Sequence, residues 1–249
     1  MQGLTKEHNW KNATIMAKAS MYAYQNLGSF QKEFDPEAKL FDKDGTQVYC
    51  WNDGKNACVA FRGTEPTQWS DIKADLKIRR VKCPTGFVHR GFRDALNEVW
   101  SNVADWLKNQ KKEHVFFTGH SLGGALATLA ASRWNTPTTH LYTYGSPRVG
   151  GKKFVQSFKT TERYRYRNNN DIVTRVPFEI LGYKHVSGDG GNFIYFDVNG
   201  NVSKKFSRWY MFKQWIKGTL RGFTKLKIDG FSDHSIEAYY NFCRKEWQK

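Results

Sequence analysis

The sequence predicts an α/β fold, a central, mostly parallel mixed sheet with helices on both faces. Three observations predict it. Ala57-Cys58-Val59-Ala60-Phe61 and Val115-Phe116-Phe117 are short, continuous apolar runs, as expected of strands covered on both sides. From Val115 onward strand and helix patterns alternate, which implies parallel strands joined by right-handed crossovers. The 249 residues contain no linker, repeat or low-complexity tract, so one domain spanning 1–249 is expected.

Taken in order, Trp10 to Gln25 reads as an amphipathic helix, with Met16, Ala17, Ala19, Ser20, Ala23 and Tyr24 on its small-residue face and Gly28 as its stop. Phe41 to Trp51 and Ala57 to Phe61 read as strands joined through Asn52-Asp53-Gly54-Lys55-Asn56. Trp69 to Leu76 reads as a short helix, because Trp69, Ile72 and Leu76 share one face. Val88 to Phe92 is a connector into a helix from Arg93 to Asn109, with Ala95, Leu96, Val99, Trp100, Val103 and Leu107 turned inward. After Val115 to Phe117 comes an Ala- and Leu-rich helix, Leu122 to Ala131. His140 to Tyr144 is the next strand, a helix follows near Gly151 to Thr160, and Arg163 to Arg167 is a strand entering Asn168-Asn169-Asn170-Asp171. Phe193 to Phe196 pairs in a hairpin across Asn199-Gly200-Asn201. Phe206 to Arg221 is an aromatic, basic helix, and His234 begins a last helix reaching Glu246.

Composition narrows the function classes. The formal charge is +16, which favours an anionic partner. The Lys and Arg are spread along the whole chain, without an arginine-rich arm, zinc-finger spacing or RNA-binding aromatic signature, so nucleic acid is excluded as a partner. Lys204 to Lys227 interleaves basic with aromatic residues, as a helix lying on an anionic membrane does. Cys50, Cys58, Cys83 and Cys243 form no C-x-x-C pair, so no metal site is expected. Cys50 and Cys58 flank a turn, and their disulfide state is open. Met1 to Leu40 has no long apolar run, so neither a signal peptide nor a transmembrane segment is expected, and the chain is cytoplasmic or exported by a signal-independent route.

The chemistry centres on Gly119, Ser121 and Gly123, a G-x-S-x-G between a strand and a helix. A serine on so tight a turn adopts strained backbone angles, and its neighbours two places away must be small. The turn is expected to raise the Ser121 hydroxyl into solvent and to leave the Leu122 amide at a helix N-terminus, where it can donate to an oxyanion. A nucleophilic serine needs a base, and the base needs a carboxylate to orient it. In the chain order Ser, acid, His, Asp171 lies just past the second strand after the serine. Asp189 in a glycine-rich turn and Asp197 at a hairpin end are its rivals. Of the histidines, His185 and His234 follow Asp171, and spacing alone leaves both open. His120, beside the serine, is expected to pack or hydrogen bond rather than react.

These residues resemble the class 3 lipases, the group of fungal triacylglycerol lipases, feruloyl esterases and related bacterial and plant enzymes. The resemblance runs through Ala60-Phe61-Arg62-Gly63-Thr64, a lid-like Trp69-Ser70-Asp71 to Asp75-Leu76, His89-Arg90-Gly91-Phe92, Gly119 to Gly124, Tyr144 to Gly150, Asn170 to Pro177 and Asp233-His234 with Tyr239. It implies an α/β-hydrolase-like fold and selects His234, because Tyr183-Lys184-His185-Val186 matches a family motif whose histidine is non-catalytic. It also implies Thr64 and Leu122 as the oxyanion hole, with Ser121, Asp171 and His234 as the catalytic residues and no cofactor. The expected activity is hydrolysis of carboxylic esters of lipids, acylglycerol or phospholipid, through an acyl-serine. Three alternatives share these residues: a phospholipase A1-type enzyme at anionic membranes, an acyltransferase or thioesterase on the same triad, and a catalytically inactive basic membrane-binding module.

Overall fold

Apolar residues that alternate along the strands divide the core between the two faces of one sheet. The computed structural model describes residues 3–64, 79–158, 161–186, 192–203 and 233–249. The strands are β1 (Lys39–Lys43), β2 (Thr46–Asn52), β3 (Ala57–Phe61), β4 (Arg80–Cys83), β5 (Gly86–His89), β6 (Val115–His120), β7 (Thr139–Tyr144), β8 (Gly150–Gly151), β9 (Glu162–Asn168), β10 (Tyr183–Lys184), β11 (Asn192–Phe196) and β12 (Val202–Ser203). The helices are α1 (Trp10–Tyr22), α2 (Leu27–Glu33), α3 (Arg90–Lys108), α4 (Leu122–Trp134), α5 (Lys152–Gln156) and α6 (Ile236–Trp247).

The main sheet has the order β1-β2-β3-β6-β7-β9-β11-β12. Strands β3, β6, β7, β9 and β11 run parallel, and β1, β2 and β12 are antiparallel at its edges. Val59, Phe117 and Leu141 face one layer, with Leu96, Val99 and Val103 of α3 and the alanines of α4. Cys58, Phe116, Tyr142, Tyr144, Tyr164 and Tyr166 face the other, with Met16 and Ala17 of α1 and Ile236 and Tyr239 of α6. Full burial of each such Val, Leu or Phe contributes about 1.5–3 kcal/mol, so helices on both sides fix the sheet. The parallel strands all present their C-terminal ends on one edge, the usual place for a site in an α/β sheet. Among the described residues no helix is long and apolar enough to cross a membrane.

Several boundaries differ from the sequence reading. The stretch Phe41 to Trp51 is two strands, because Asp44 (φ 48°) and Gly45 (φ 79°) make a two-residue hairpin turn that pairs Lys43 with Thr46. Gly28 lies inside α2; α1 ends at Tyr22, and Asn26 caps α2 by accepting from the Ser29 amide at 2.9 Å. The connector before α3 is strand β5 of a second sheet, β10-β8-β5-β4, whose strands of two to four residues carry too little pattern to read. The last helix begins after His234, with Ser235 as its N-cap. Cys50 and Cys58 belong to opposite layers, so their thiols cannot meet, and all four cysteines are free. The helices expected at Trp69 to Leu76 and Phe206 to Arg221, the basic stretch Lys204 to Lys227, and Asp189 lie outside the described residues.

Candidate active site

The elbow forms where glycine is sterically required. Ser121 stands between β6 and α4 with φ 59° and ψ −128°, a conformation that L-residues avoid. A Cβ on Gly119 would stand 2.3 Å from the Gly123 carbonyl, and one on Gly123 would stand 2.1 Å from the Phe61 carbonyl oxygen. The elbow thus closes on itself and seats against the end of β3. A hydrogen bond from the Ser121 amide to the Tyr144 carbonyl, 3.0 Å, ties it to β7. The serine hydroxyl is not raised into solvent as expected. Ser121 is fully buried, and the ends of β3 and β7 and the His234 loop pack against the turn that carries it.

Asp171 and His234 meet beside that turn. The His234 Nδ1 lies 2.9 Å from both Asp171 carboxylate oxygens. A carboxylate only accepts, so Nδ1 carries the ring proton and Nε2 is left as the basic nitrogen. Asp171 is wholly buried, and it takes two further donors: the Tyr239 hydroxyl at 2.6 Å and the Val173 amide at 3.0 Å. Tyr239 in turn accepts the Asn168 amide at 2.8 Å. Burial and the adjacent carboxylate push the Tyr239 phenol well above its usual pKa, so it stays a donor. Gly145 (φ 59°) passes directly beneath the pair. A Cβ there would lie 2.6 Å from Asp171 Oδ2 and 2.9 Å from His234 Nδ1 and Cε1.

Two supports stand behind the pair; the first was not read from the sequence, and the second is His120 in the hydrogen-bonding role expected of it. The first is a clamp on the His234 loop. Asn168 Nδ2 donates to the Asp233 carbonyl at 2.9 Å, while the Asn169 side chain and the Asn170 amide donate to the Asp233 carboxylate at 3.0 Å each. The run of three asparagines that begins at the last residue of β9 was the available signal, with more donors than a plain turn needs. The second is His120, whose Nε2 donates to the His234 carbonyl at 2.7 Å and whose Nδ1 accepts from the Tyr24 hydroxyl at 3.0 Å. Its ring lies 4.4 Å from the His234 ring, centroid to centroid. Burial and the facing His234 hold the His120 pKa well below the usual value, so it remains neutral.

Of the rival residues, His185 is remote in role: its Nε2 donates to the Thr174 carbonyl at 2.7 Å and steadies the loop after Asp171. Asp197 caps the β11–β12 turn by accepting from the Asn199 and Asn201 amides. Thr64 follows β3 and is half-buried. The segment before it runs against the elbow, since a Cβ on Gly63 would come 2.7 Å from the His120 carbonyl. Leu122 opens α4, where its amide has no intrahelical acceptor. Strand ends β3, β6, β7 and β9 and the turn before α6 therefore bring a strained serine, two candidate oxyanion donors and a buried His–carboxylate pair to one edge.

Residues 58–181 match the family described as Lipase (class 3). The secreted mono- and diacylglycerol lipase 1 of Fusarium solani is 41% identical over 116 residues, 42% of this chain and 35% of that protein. The chain spans less than half the length of the first curated relatives it matches. Among solved structures, lipase II from Rhizopus niveus superposes with a TM-score of 0.63 at 26% identity, over 75% of this chain and 80% of that one. A triacylglycerol lipase whose structure is described as having a serine protease triad for its catalytic centre superposes with a TM-score of 0.62 at 25% identity, over 77% and 82% of the two chains. With this sheet order and these motifs in sequence, the chain belongs to the class 3 lipase family.

Proposed function

We propose that this chain hydrolyses carboxylic esters of lipids through an acyl-serine intermediate. His234 Nε2 takes the proton of the Ser121 hydroxyl as its oxygen attacks the ester carbonyl. Asp171 holds His234 in the required tautomer and stabilises the imidazolium that forms. The amides of Thr64 and Leu122 receive the negative charge on the carbonyl oxygen, and each such donor lowers the barrier by ~2.7–4 kcal/mol. His234 returns the proton to the leaving alcohol, then activates water, which releases the carboxylic acid and restores Ser121.

One observation carries the reading: a fully buried carboxylate with three donors, one of them His234, lies beside a serine held in a strained turn. Burying a carboxylate is costly unless hydrogen bonds compensate it, and strained backbone concentrates at reactive sites. Relatives named as mono- and diacylglycerol lipases support acylglycerols as the substrate class, and the charge of +16 supports anionic lipid surfaces as their carrier. Turnover of nitrophenyl butyrate tests the assignment. Ser121→Ala is expected to remove it by at least 10³-fold, and activity within tenfold of the parent would sink the proposal.

A further inference from the structure

We propose that the turn Phe178-Glu179-Ile180-Leu181 is a rigid apolar anchor that inserts into an anionic lipid surface beside the active site. The inference rests on the lipid-ester reading above and names the surface from which that site draws substrate.

Among the described residues three large hydrophobic side chains are exposed, and two of them sit here: Ile180 at 93% and Phe178 at 60%. The chain reaches this turn directly from the Asp171 loop, through Val173, Thr174 and Arg175. The turn is not loose. Residues Glu179–Leu181 form a 3-10 turn closed by Leu181 N to Phe178 O at 3.0 Å and Gly182 N to Glu179 O at 2.8 Å. Arg148 donates to the Pro177 carbonyl at 3.1 Å, and Arg80 donates to the Leu181 carbonyl. Glu179 is paired with Lys184 and stands 3.9 Å from Arg148. The backbone and the one carboxylate are thus tied down from behind, and the two apolar side chains are left pointing outward.

Charge selects the occupant. Exposed Arg80 and half-buried Lys184 flank the turn, Arg148 adds a third positive charge behind it, and Glu179 is its single acid. Two apolar groups on a narrow tip are far less than the ~800 Å² per partner that a stable protein interface needs. They do fit a lipid surface, where large apolar side chains reach the boundary of headgroup and acyl chain while adjacent cations meet anionic headgroups. Pre-ordering the tip lowers the entropy lost on insertion. A tip anchored beside the Asp171 loop would hold the site's edge against the layer that contains its ester.

Co-sedimentation with vesicles of phosphatidylglycerol and phosphatidylcholine tests this on the full chain. The double variant Phe178→Ser, Ile180→Ser is expected to lower partitioning at least tenfold, and Phe178→Leu, Ile180→Leu to keep it within twofold. Both should turn over nitrophenyl butyrate in solution within twofold of the parent, which also shows that they fold. The serine variant should lose turnover of a vesicle-borne ester in proportion to its lost binding. Parental sedimentation by the serine variant overturns the anchor. Equal binding of the parent to pure phosphatidylcholine overturns the choice of an anionic surface. Because partitioning is read without turnover, binding through Phe178 and Ile180 by a chain that hydrolyses no ester supports the anchor and defeats only the proposed reaction.

Discussion

Gly145→Ala is a single methyl aimed at the centre of the site. Two costs separate cleanly there. Gly145 has φ 59°, and a non-glycine residue held in such a region costs about 1–3 kcal/mol. The second cost is contact. The new Cβ would stand 2.6 Å from Asp171 Oδ2 and 2.9 Å from His234 Nδ1, well inside any real Cβ contact. Neither partner can simply swing away, since Asp171 is held by Tyr239 and Val173, and the His234 backbone by His120. The Asp–His pair must therefore open or shift by several tenths of an ångström up to about 1 Å, and a misplacement of about 1 Å costs about 10²-fold in rate. That is about 2.7 kcal/mol in the barrier.

Gly45→Ala is the control, because Gly45 shares the positive φ (79°) but a Cβ there meets nothing within 4 Å. Both variants should lose about 1–3 kcal/mol of stability by chemical denaturation. Only Gly145→Ala should lower kcat on nitrophenyl butyrate, by about 10²-fold with KM little changed. A folded Gly145→Ala protein with parental kcat would refute the argument that this glycine exists to let the pair close.

Two further outcomes follow from strain and from buried histidines. Ser121→Gly removes the side chain from a conformation of φ 59° and ψ −128°, so it should abolish turnover yet raise stability by about 1 kcal/mol; a lowered denaturation midpoint would contradict the strain at the elbow. His140 is buried, and desolvation with the facing His114 lowers its pKa from 6.5 to about 4. A histidine depressed in the folded state contributes stability that is complete above pH 6.5 and is lost as pH falls from there towards 4, at up to about 1.4 kcal/mol per pH unit. Urea midpoints between pH 7 and 4.5 should fall less steeply in His140→Gln, and an unchanged slope would remove His140 from the acid response.

The sheet was legible because its central strands β3 and β6 are continuous apolar runs bounded by turn residues, and because the parallel strands from β3 to β9, with helices between them, permit few arrangements. Ser121 was legible for a related reason: a G-x-S-x-G at the end of a strand is a local steric demand, written in adjacent letters. Asp171 could be found from the order of strand ends. His234 could not be chosen over His185 by spacing, because what distinguishes them is contact at long range. His234 reaches an acid 63 positions away, and His185 reaches the Thr174 carbonyl. The second sheet escaped for the opposite reason, since β8 and β10 are two residues long and exist only through their partners.

The burial of Ser121 changes what its strain accomplishes. A serine raised into solvent would be activated mainly by its base. Here the hydroxyl is fully covered, and the His–carboxylate pair is almost fully covered with it. In such surroundings hydrogen bonds and charges act with less screening than in water, so under the proposed mechanism the Thr64 and Leu122 amides and the Asp171 carboxylate would each exert more on the reacting atoms. The cost falls on stability at the same place: a strained serine, a buried carboxylate, and glycines that forgo side-chain packing at 119, 123 and 145. The Asn168–Asn169–Asn170 clamp on Asp233 and the neutral His120 beside His234 offset that cost, because they hold the loop by hydrogen bonds. The clamp acts on the backbone beside His234, not on its ring. The ring's direction is therefore left to Asp171, and the room for its Nδ1–Cε1 edge to Gly145.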